Sequence, residues 1–370
     1  MRTPLRLFLL LLPIVTAAPE ARAEKITVDD DTFFNIGVLI QPQFTATEDA
    51  SPDGDWGTDF FLRRGRLLLT GQFDPHISFI FVTDQANFGK NGDFTTQFIV
   101  QDAVAAYKVG PAFQISAGFM LLPFIRNGFT SASQLSTIDY RAGVIKFPAT
   151  GRAFRDMGVE VRGLVAQDRV YYRAGVFSGI NGSVTDTGDE INPGDVPRLT
   201  GTVRFNILGK DEGYAPPALS FGTTPLCSVG VALDWQKDAF GDTDSSRYLA
   251  MAADIFVDFP MPGDQEFTAQ AAIIRYDSYA QAGVVDEANA FFVEGGYRFM
   301  QFEPVFAVEW FNGDAPGTGL TTYRAGLNYF ITKHTYNLKA ELAIPDPEEL
   351  EDGTDPPSNM VATVQAQVSF

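Results

Sequence analysis

Along most of this chain, apolar and polar positions alternate one by one. Leu249, Met251, Ala253, Ile255, Val257 and Phe259 share one face, with Ala252, Asp254 and Asp258 on the other. Tyr323, Ala325, Leu327, Tyr329 and Ile331 alternate with Arg324, Gly326 and Asn328 in the same way. So do Tyr336, Leu338, Ala340, Leu342 and Ile344 with Asn337, Lys339 and Glu341. A period of two marks strands with unlike faces, and no segment shows a convincing amphipathic helix. The pattern predicts sixteen strands, centred near residues 39, 66, 81, 103, 117, 160, 174, 202, 232, 253, 272, 294, 307, 326, 339 and 364.

The connections alternate in length. Short turns fall at Phe73–His76, Val109–Pro111, Ala166–Asp168, Phe259–Gln265, Met300–Gln301 and Thr332–Lys333. Between them lie longer polar loops, roughly 46–57, 87–96, 124–154, 180–196, 238–246, 279–287, 313–319 and 346–357. The connection at 208–225 is longer than its neighbours at the short-turn end. An even number of strands, with short turns at one end and long loops at the other, describes an all-β, transmembrane antiparallel β-barrel. A sheet that spans a bilayer must close on itself, because hydrocarbon cannot satisfy backbone polar groups. The last strand, Val361–Phe370, alternates like the others and is expected to pair with the first, around Phe33–Phe44, with Phe370 at the membrane interface. A soluble β-sandwich or propeller would show similar alternation, but not the turn asymmetry joined to the leader described next.

Arg2 and Arg6 precede the apolar run Leu7–Leu12, and Ala21-Arg22-Ala23 forms a small-residue cleavage site. Residues 1–23 therefore read as a secretory signal peptide and 24–370 as a single outer-membrane barrel. The run is too short to span, Pro13 interrupts it, and no later stretch reaches the roughly 18 apolar residues of a spanning helix.

Charge and chemistry narrow the classes further. The formal charge is −19, and removing Arg2, Arg6, Arg22 and Glu20 with the leader takes it to −21, which argues against nucleic acid. The lone Cys227 excludes an internal disulfide, and the two histidines, His76 and His334, both fall at turns. A hydrolytic barrel would need a nucleophile with a base, which this set does not offer. The acidic stretches Asp186–Glu190 and Asp346–Asp352 match no Ca²⁺ loop, so no metal or cofactor is expected. They read as a solvated outer face.

Several segments go beyond general barrel character: Phe60–Phe73 ("FFLRRGRLLLTGQF"), Gln101–Tyr107, Ala117–Phe124, Gly151–Gly163 ("GRAFRDMGVEVRG") and Gln167–Asn181 ("QDRVYYRAGVFSGIN"). Together they resemble the phosphate-selective porin O and P family, most closely over residues 58–210 and onward to the C-terminus. The resemblance implies a sixteen-strand barrel, usually a homotrimer in outer-membrane lipid, passing small anions through a pore lined by arginine. It also implies a third loop folded into the lumen. Arg141 matches the arginine of that loop's acidic-arginine pair, with Tyr140 in place of the acid, and Thr130-Ser131 matches its Thr-Ser. No residue here matches the family's constriction lysine.

Read without the family, residues 124–154 form the longest insertion, and loops of this length are usually functional or disordered. The insertion carries Arg126, Arg141, Lys146 and Arg152 against Asp139 alone, with Arg155 and Asp156 just beyond. Alternation turns Arg64, Arg66, Arg162, Arg173 and Arg204 inward on strands two and six to eight, with Glu160 opposing. On strands nine to thirteen it turns Asp234, Asp254, Asp258, Glu294, Glu303 and Glu309 inward, with Arg298. A basic wall is thus expected to face an acidic one, a field that would focus on passing ions. The competing expectation is that these charges only pair within the wall. The sequence as a whole is expected to form a water-filled diffusion pore for small hydrophilic solutes, preferring anions such as phosphate. The alternatives are a non-selective or weakly cation-preferring pore, and a plugged barrel acting as adhesin or structural protein.

Overall fold

A computed structural model describes residues 24–141, 144–145, 154–184, 188, 190–240, 247–281, 284–314, 317–349 and 356–370. Sixteen staves run β1 (Phe33–Thr47), β2 (Gly57–Gln72), β3 (Ile77–Phe88), β4 (Ile99–Gly110), β5 (Phe113–Leu121), β6 (Arg155–Val165), β7 (Val170–Phe177) and β8 (Arg198–Leu208). They continue as β9 (Leu226–Gln236), β10 (Tyr248–Met261), β11 (Gln265–Gln281), β12 (Val284–Phe299), β13 (Phe302–Gly313), β14 (Leu320–Thr332), β15 (Tyr336–Pro347) and β16 (Val361–Ser369). Every predicted strand centre falls inside one of them. Each stave pairs antiparallel with its sequence neighbours, and β16 closes the ring on β1 in the register Val361↔Thr47 to Ser369↔Leu39. The terminal residue continues the seam: Phe370 N–H donates to the Val38 carbonyl (3.0 Å), and Val38 N–H to the Phe370 carbonyl (2.8 Å).

The two faces of the ring are inverted relative to a soluble protein. Outward positions such as Val231, Ile273, Val293, Phe306 and Val364 are exposed and apolar. The inward positions between them carry buried Asp234, Asp254, Glu294, Glu309 and Gln365. Only a sheet whose outer face meets lipid gains from this arrangement, which rules out the sandwich and the propeller.

The lengths of the connections follow the predicted alternation with one correction. The loop expected at 279–287 is instead ladder, with Tyr279↔Asp286, Ala280↔Val285 and Gln281↔Val284 paired, so β11 and β12 project as a hairpin. At the other end the turns are two to four residues long, except for 209–225 between β8 and β9.

Several register shifts interrupt the ladder, and two of them bear on the interior. In β2, Gln41 pairs with Arg64 and the next residue, Pro42, pairs with Leu62, leaving Arg63 as the extra residue. In β4, Val82 pairs with Asp102 and Thr83 with Val100, leaving Gln101. A bulge leaves one residue out of the ladder and re-aims its side chain.

Candidate functional site

The lumen is not an open tube. The connection from β5 to β6, described at residues 122–141, 144–145 and 154, lays its backbone against inward side chains from several staves. The Ala132, Ser133 and Ser136 carbonyls accept from Gln41 (3.3 Å), Gln367 (2.9 Å) and Asn328 (2.7 Å). Lys339 donates to the Leu135 carbonyl and, at 3.3 Å, to that of Thr137. Ile138 N–H donates to Glu341, and Tyr276 Oη to the Val144 carbonyl (2.9 Å). These partners sit on β1, β11, β14, β15 and β16, so the segment crosses the interior, as the resemblance implied.

Its sequence explains why it stays there. Phe124, Ile125, Phe129, Leu135, Val144 and Ile145 are buried against Tyr248, Ile274, Tyr276, Phe292 and Phe311, and form one apolar cluster inside the barrel. Inward positions on the loop side of β10 to β13 are thus apolar, with Ala250, Ala272, Ala288 and Ala290 leaving room. The expected acidic face occupies only the remainder of those staves. Burial of this apolar surface drives the docking.

Arginines then fix the segment by charge. Asp139 accepts from Arg63 Nη2 (2.6 Å) and Arg64 Nη2 (2.7 Å), so two consecutive side chains grip one carboxylate. Burial pushes the Asp139 carboxyl up, but the two guanidiniums outweigh it and hold it well below the ordinary carboxylate range. Arg141 donates to Glu309 (2.7 Å) and to the Asp139 carbonyl (2.7 Å), with Glu294 at 3.5 Å. Tyr140, at the family's acidic position, donates to the Thr130 carbonyl (2.7 Å). Arg126, in the single helical turn α1 (Arg126–Phe129), pairs with Asp211 at 2.9 Å and lies 3.2 Å from the centroid of the Phe256 ring.

Every described arginine named from the sequence reaches the interior, and the predicted inward register of the wall holds. The opposition of two walls does not. Arg66 pairs with Asp84 (2.9 Å), Arg155 with Asp102 (3.1 Å) and Arg173 with Glu160 (2.8 Å). Arg204 reaches Asp254 (2.5 Å) and Asp211 (3.2 Å). Arg198, which alternation also turns inward, binds Asp234 through Nε at 2.7 Å. The reason is energetic: a buried charge without a partner is costly, so acids one or two staves away neutralise the arginines before the field can cross the lumen. Arg162 departs from the rest. Its buried Nη1 makes no hydrogen bond and lies 3.8 Å from Glu160 Oε1, which is also unbonded, while Arg173 takes the other oxygen of that carboxylate. Lys146 and Arg152 lie outside the described residues.

Sequence reasoning missed Arg63, Arg198, Asp211 and Tyr214. Arg63-Arg64 breaks the alternation and was the available sign of a bulge. The excess length of 209–225 was the sign of Asp211 and Tyr214. Among the described residues no group of His, Cys, Asp and Glu is arranged to hold a metal.

The sequence profile of the family described as phosphate-selective porin O and P matches residues 34–370. The chain belongs to that family. No curated protein sequence matches it. Among solved structures, the fold is similar to an anion-selective porin from Comamonas acidovorans, at TM-score 0.61 and 12% identity over 92% of this chain and 100% of that one. It is also similar to the outer-membrane channel DcaP of Acinetobacter baumannii, at TM-score 0.61 and 14% identity over 93% and 99%. Salmonella typhi OmpF, solved with daunomycin, aligns at TM-score 0.64 and 11% identity over 94% and 100%. At these identities the likeness concerns the fold. Family and fold are those of outer-membrane channels for small solutes, not of enzymes, and they place this porin in the outer membrane.

Proposed function

We propose that this porin passes small anions such as phosphate in preference to cations, by diffusion down their gradient. The observation that carries the reading is Arg162. It is a luminal guanidinium on β6, near Arg173 and beside the Tyr214 ring (5.4 Å); its side chain is 13% exposed, and its buried Nη1 makes no hydrogen bond and has only the long contact to Glu160. A planar guanidinium with a spare N–H suits phosphate oxygens. One loosely held contact also permits release, which permeation requires as much as entry. The neighbouring staves crowd arginine around it: β2, β6, β7 and β8 turn eight inward (63, 64, 66, 155, 162, 173, 198 and 204) against Asp59, Asp156 and Glu160 on the same strands, and the arginines other than Arg162 hold close ion pairs, most of them with acids on other elements.

The rival is a weakly cation-preferring pore, favoured by the overall negative charge. Fields from exposed acids fade within a Debye length of about 8 Å at physiological ionic strength, so luminal groups should dominate. A homotrimer in outer-membrane lipid is the assembly that goes with this reading.

Reversal potentials across a planar bilayer in a salt gradient test it. The wild type should prefer anions, and Arg162→Glu should shift the potential toward cation preference while the barrel stays heat-modifiable. A wild-type channel that prefers cations, or an Arg162→Glu channel with unchanged selectivity, would remove the basis for the proposal.

A further inference from the structure

The connection 209–225 is anomalous for its place. It lies at the short-turn end, yet it enters the barrel and runs from one wall to the other. At one end, Tyr214 Oη donates to Asp102 (2.6 Å) and accepts the Leu121 N–H (3.0 Å). Its carbonyl accepts from Arg173 (3.1 Å), and the Gly213 carbonyl from Tyr171 (3.0 Å). This end is tied to β4, β5 and β7.

The other end is tied across the ring. Ser220 N–H donates to Asp258 (3.1 Å) and Phe221 N–H to Glu266 (3.0 Å), on β10 and β11. His334, in the turn between β14 and β15, bonds the Leu219 carbonyl at 2.6 Å, and the Phe221 ring packs edge-on against Phe330 and His334.

Between the two ends the segment meets the inward loop from the other side. Ser131 N–H donates to the Pro216 carbonyl (3.3 Å), Arg126 to that of Pro217 (2.7 Å), and Ala218 N–H to that of Gln134 (3.0 Å). Asp211 is shared by Arg126 and Arg204; burial pushes its carboxyl up, and the two guanidiniums override this and hold it at about 2. Ala218 and Leu219 are buried, and only a small cavity of about 10 Å³ lies among Ser136, Ala218, Phe256, Gln270 and Glu294. Pro216-Pro217 stiffens the crossing, since proline fixes its own backbone torsion and restricts the residue before it.

We infer that residues 209–225 form a strap across the periplasm-side half of the lumen that limits conductance from that side, in series with the described part of the inward loop between β5 and β6. The inference rests on the channel reading. A connection needing only two to four residues to join β8 to β9 has been lengthened into a crossing anchored on both walls. A structural tie for β8 and β9 alone would need neither the far anchors nor the contact with the inward loop.

Single-channel conductance in planar bilayers tests this with two full barrels: the wild type, and a variant in which residues 212–222 are replaced by a short Gly-Ser linker. Heat-modifiable migration confirms that each is folded. The strap-less barrel should conduct about two-fold more or better, because one of two constrictions in series is gone. Should the linker variant fail to assemble, Tyr214→Ala with Phe221→Ala keeps the full chain and loosens both ends. It should show frequent steps to a higher conductance level. Equal, step-free conductance in folded wild type and variant would overturn the strap alone. Two folded barrels that both stay silent would overturn the channel reading and the strap with it.

Discussion

At Arg63 and Arg64 two adjacent side chains point the same way, which a regular strand forbids. The bulge spends one residue out of register so that both guanidiniums reach Asp139. Replacing Asp139 with Asn should leave Arg64, itself only 2% exposed, without its carboxylate. Losing a buried partner costs several kcal/mol, but Asp139 keeps about a third of its side chain exposed, so screening trims the expected loss to about 1–2 kcal/mol. Thermal unfolding in detergent would measure it, and noisier single-channel currents should accompany it as the inward loop loosens. The sign with pH follows from the depressed carboxyl. Its stabilisation is fully present above the unfolded-state value near 4 and is lost only as pH falls through the depressed one. The wild type should therefore keep its quiet current at mildly acidic pH, and the Asn variant should be noisy throughout. The bulge also shows where reading a sequence by period fails: the position of the strand was legible, but the residue that drops out of the ladder is chosen by its partner strand.

Among the elements, the staves were almost wholly legible, because alternation is enforced at every position by lipid on one side and polar groups on the other. That is why Arg64, Arg162, Arg173, Arg204, Asp254 and Glu294 were assigned to the interior from spacing alone. The connections were less so. Residues 279–287 read as a loop because Asp277, Gln281 and Asp286 are polar, yet a hairpin projecting beyond the membrane needs no apolar face to stay paired. The strap failed to show for the opposite reason: Tyr214, Pro216, Pro217 and Phe221 are ordinary turn residues until partners 100 or so residues away in sequence are folded around them. The arginines of the inward loop were visible, but the acids that neutralise them come from distant strands. The asymmetry of the connections itself makes a prediction. The long loops should face outward and the short turns the periplasm. An epitope inserted at Glu349 should then be labelled on intact cells, and one at Asp168 only after permeabilisation. Labelling at Asp168 on intact cells would invert the topology.

For the whole molecule, one seam decides whether there is a barrel at all. A Cβ on Gly37 would lie 2.5 Å from the Phe370 carbonyl, so glycine is what lets the final residue approach β1. Gly37→Val, or a chain shortened to residue 369 that loses both bonds to Val38, should sharply reduce heat-modifiable protein in the outer membrane. Normal amounts in both variants would mean the seam closes without this contact. The same seam fixes an order in time. The strand that completes the ring, Val361–Ser369, follows all fifteen other staves in the chain, and its partner β1 precedes them all. No length of nascent chain short of residue 361 can close. Until then, both outer strands remain unpaired edges, the form in which β-structure most readily aggregates. Pairing the most distant staves last also makes folding slow by topology alone. The protein must therefore cross the periplasm as an open chain that something else keeps apart, and its ring can close only once both ends of the sheet have arrived.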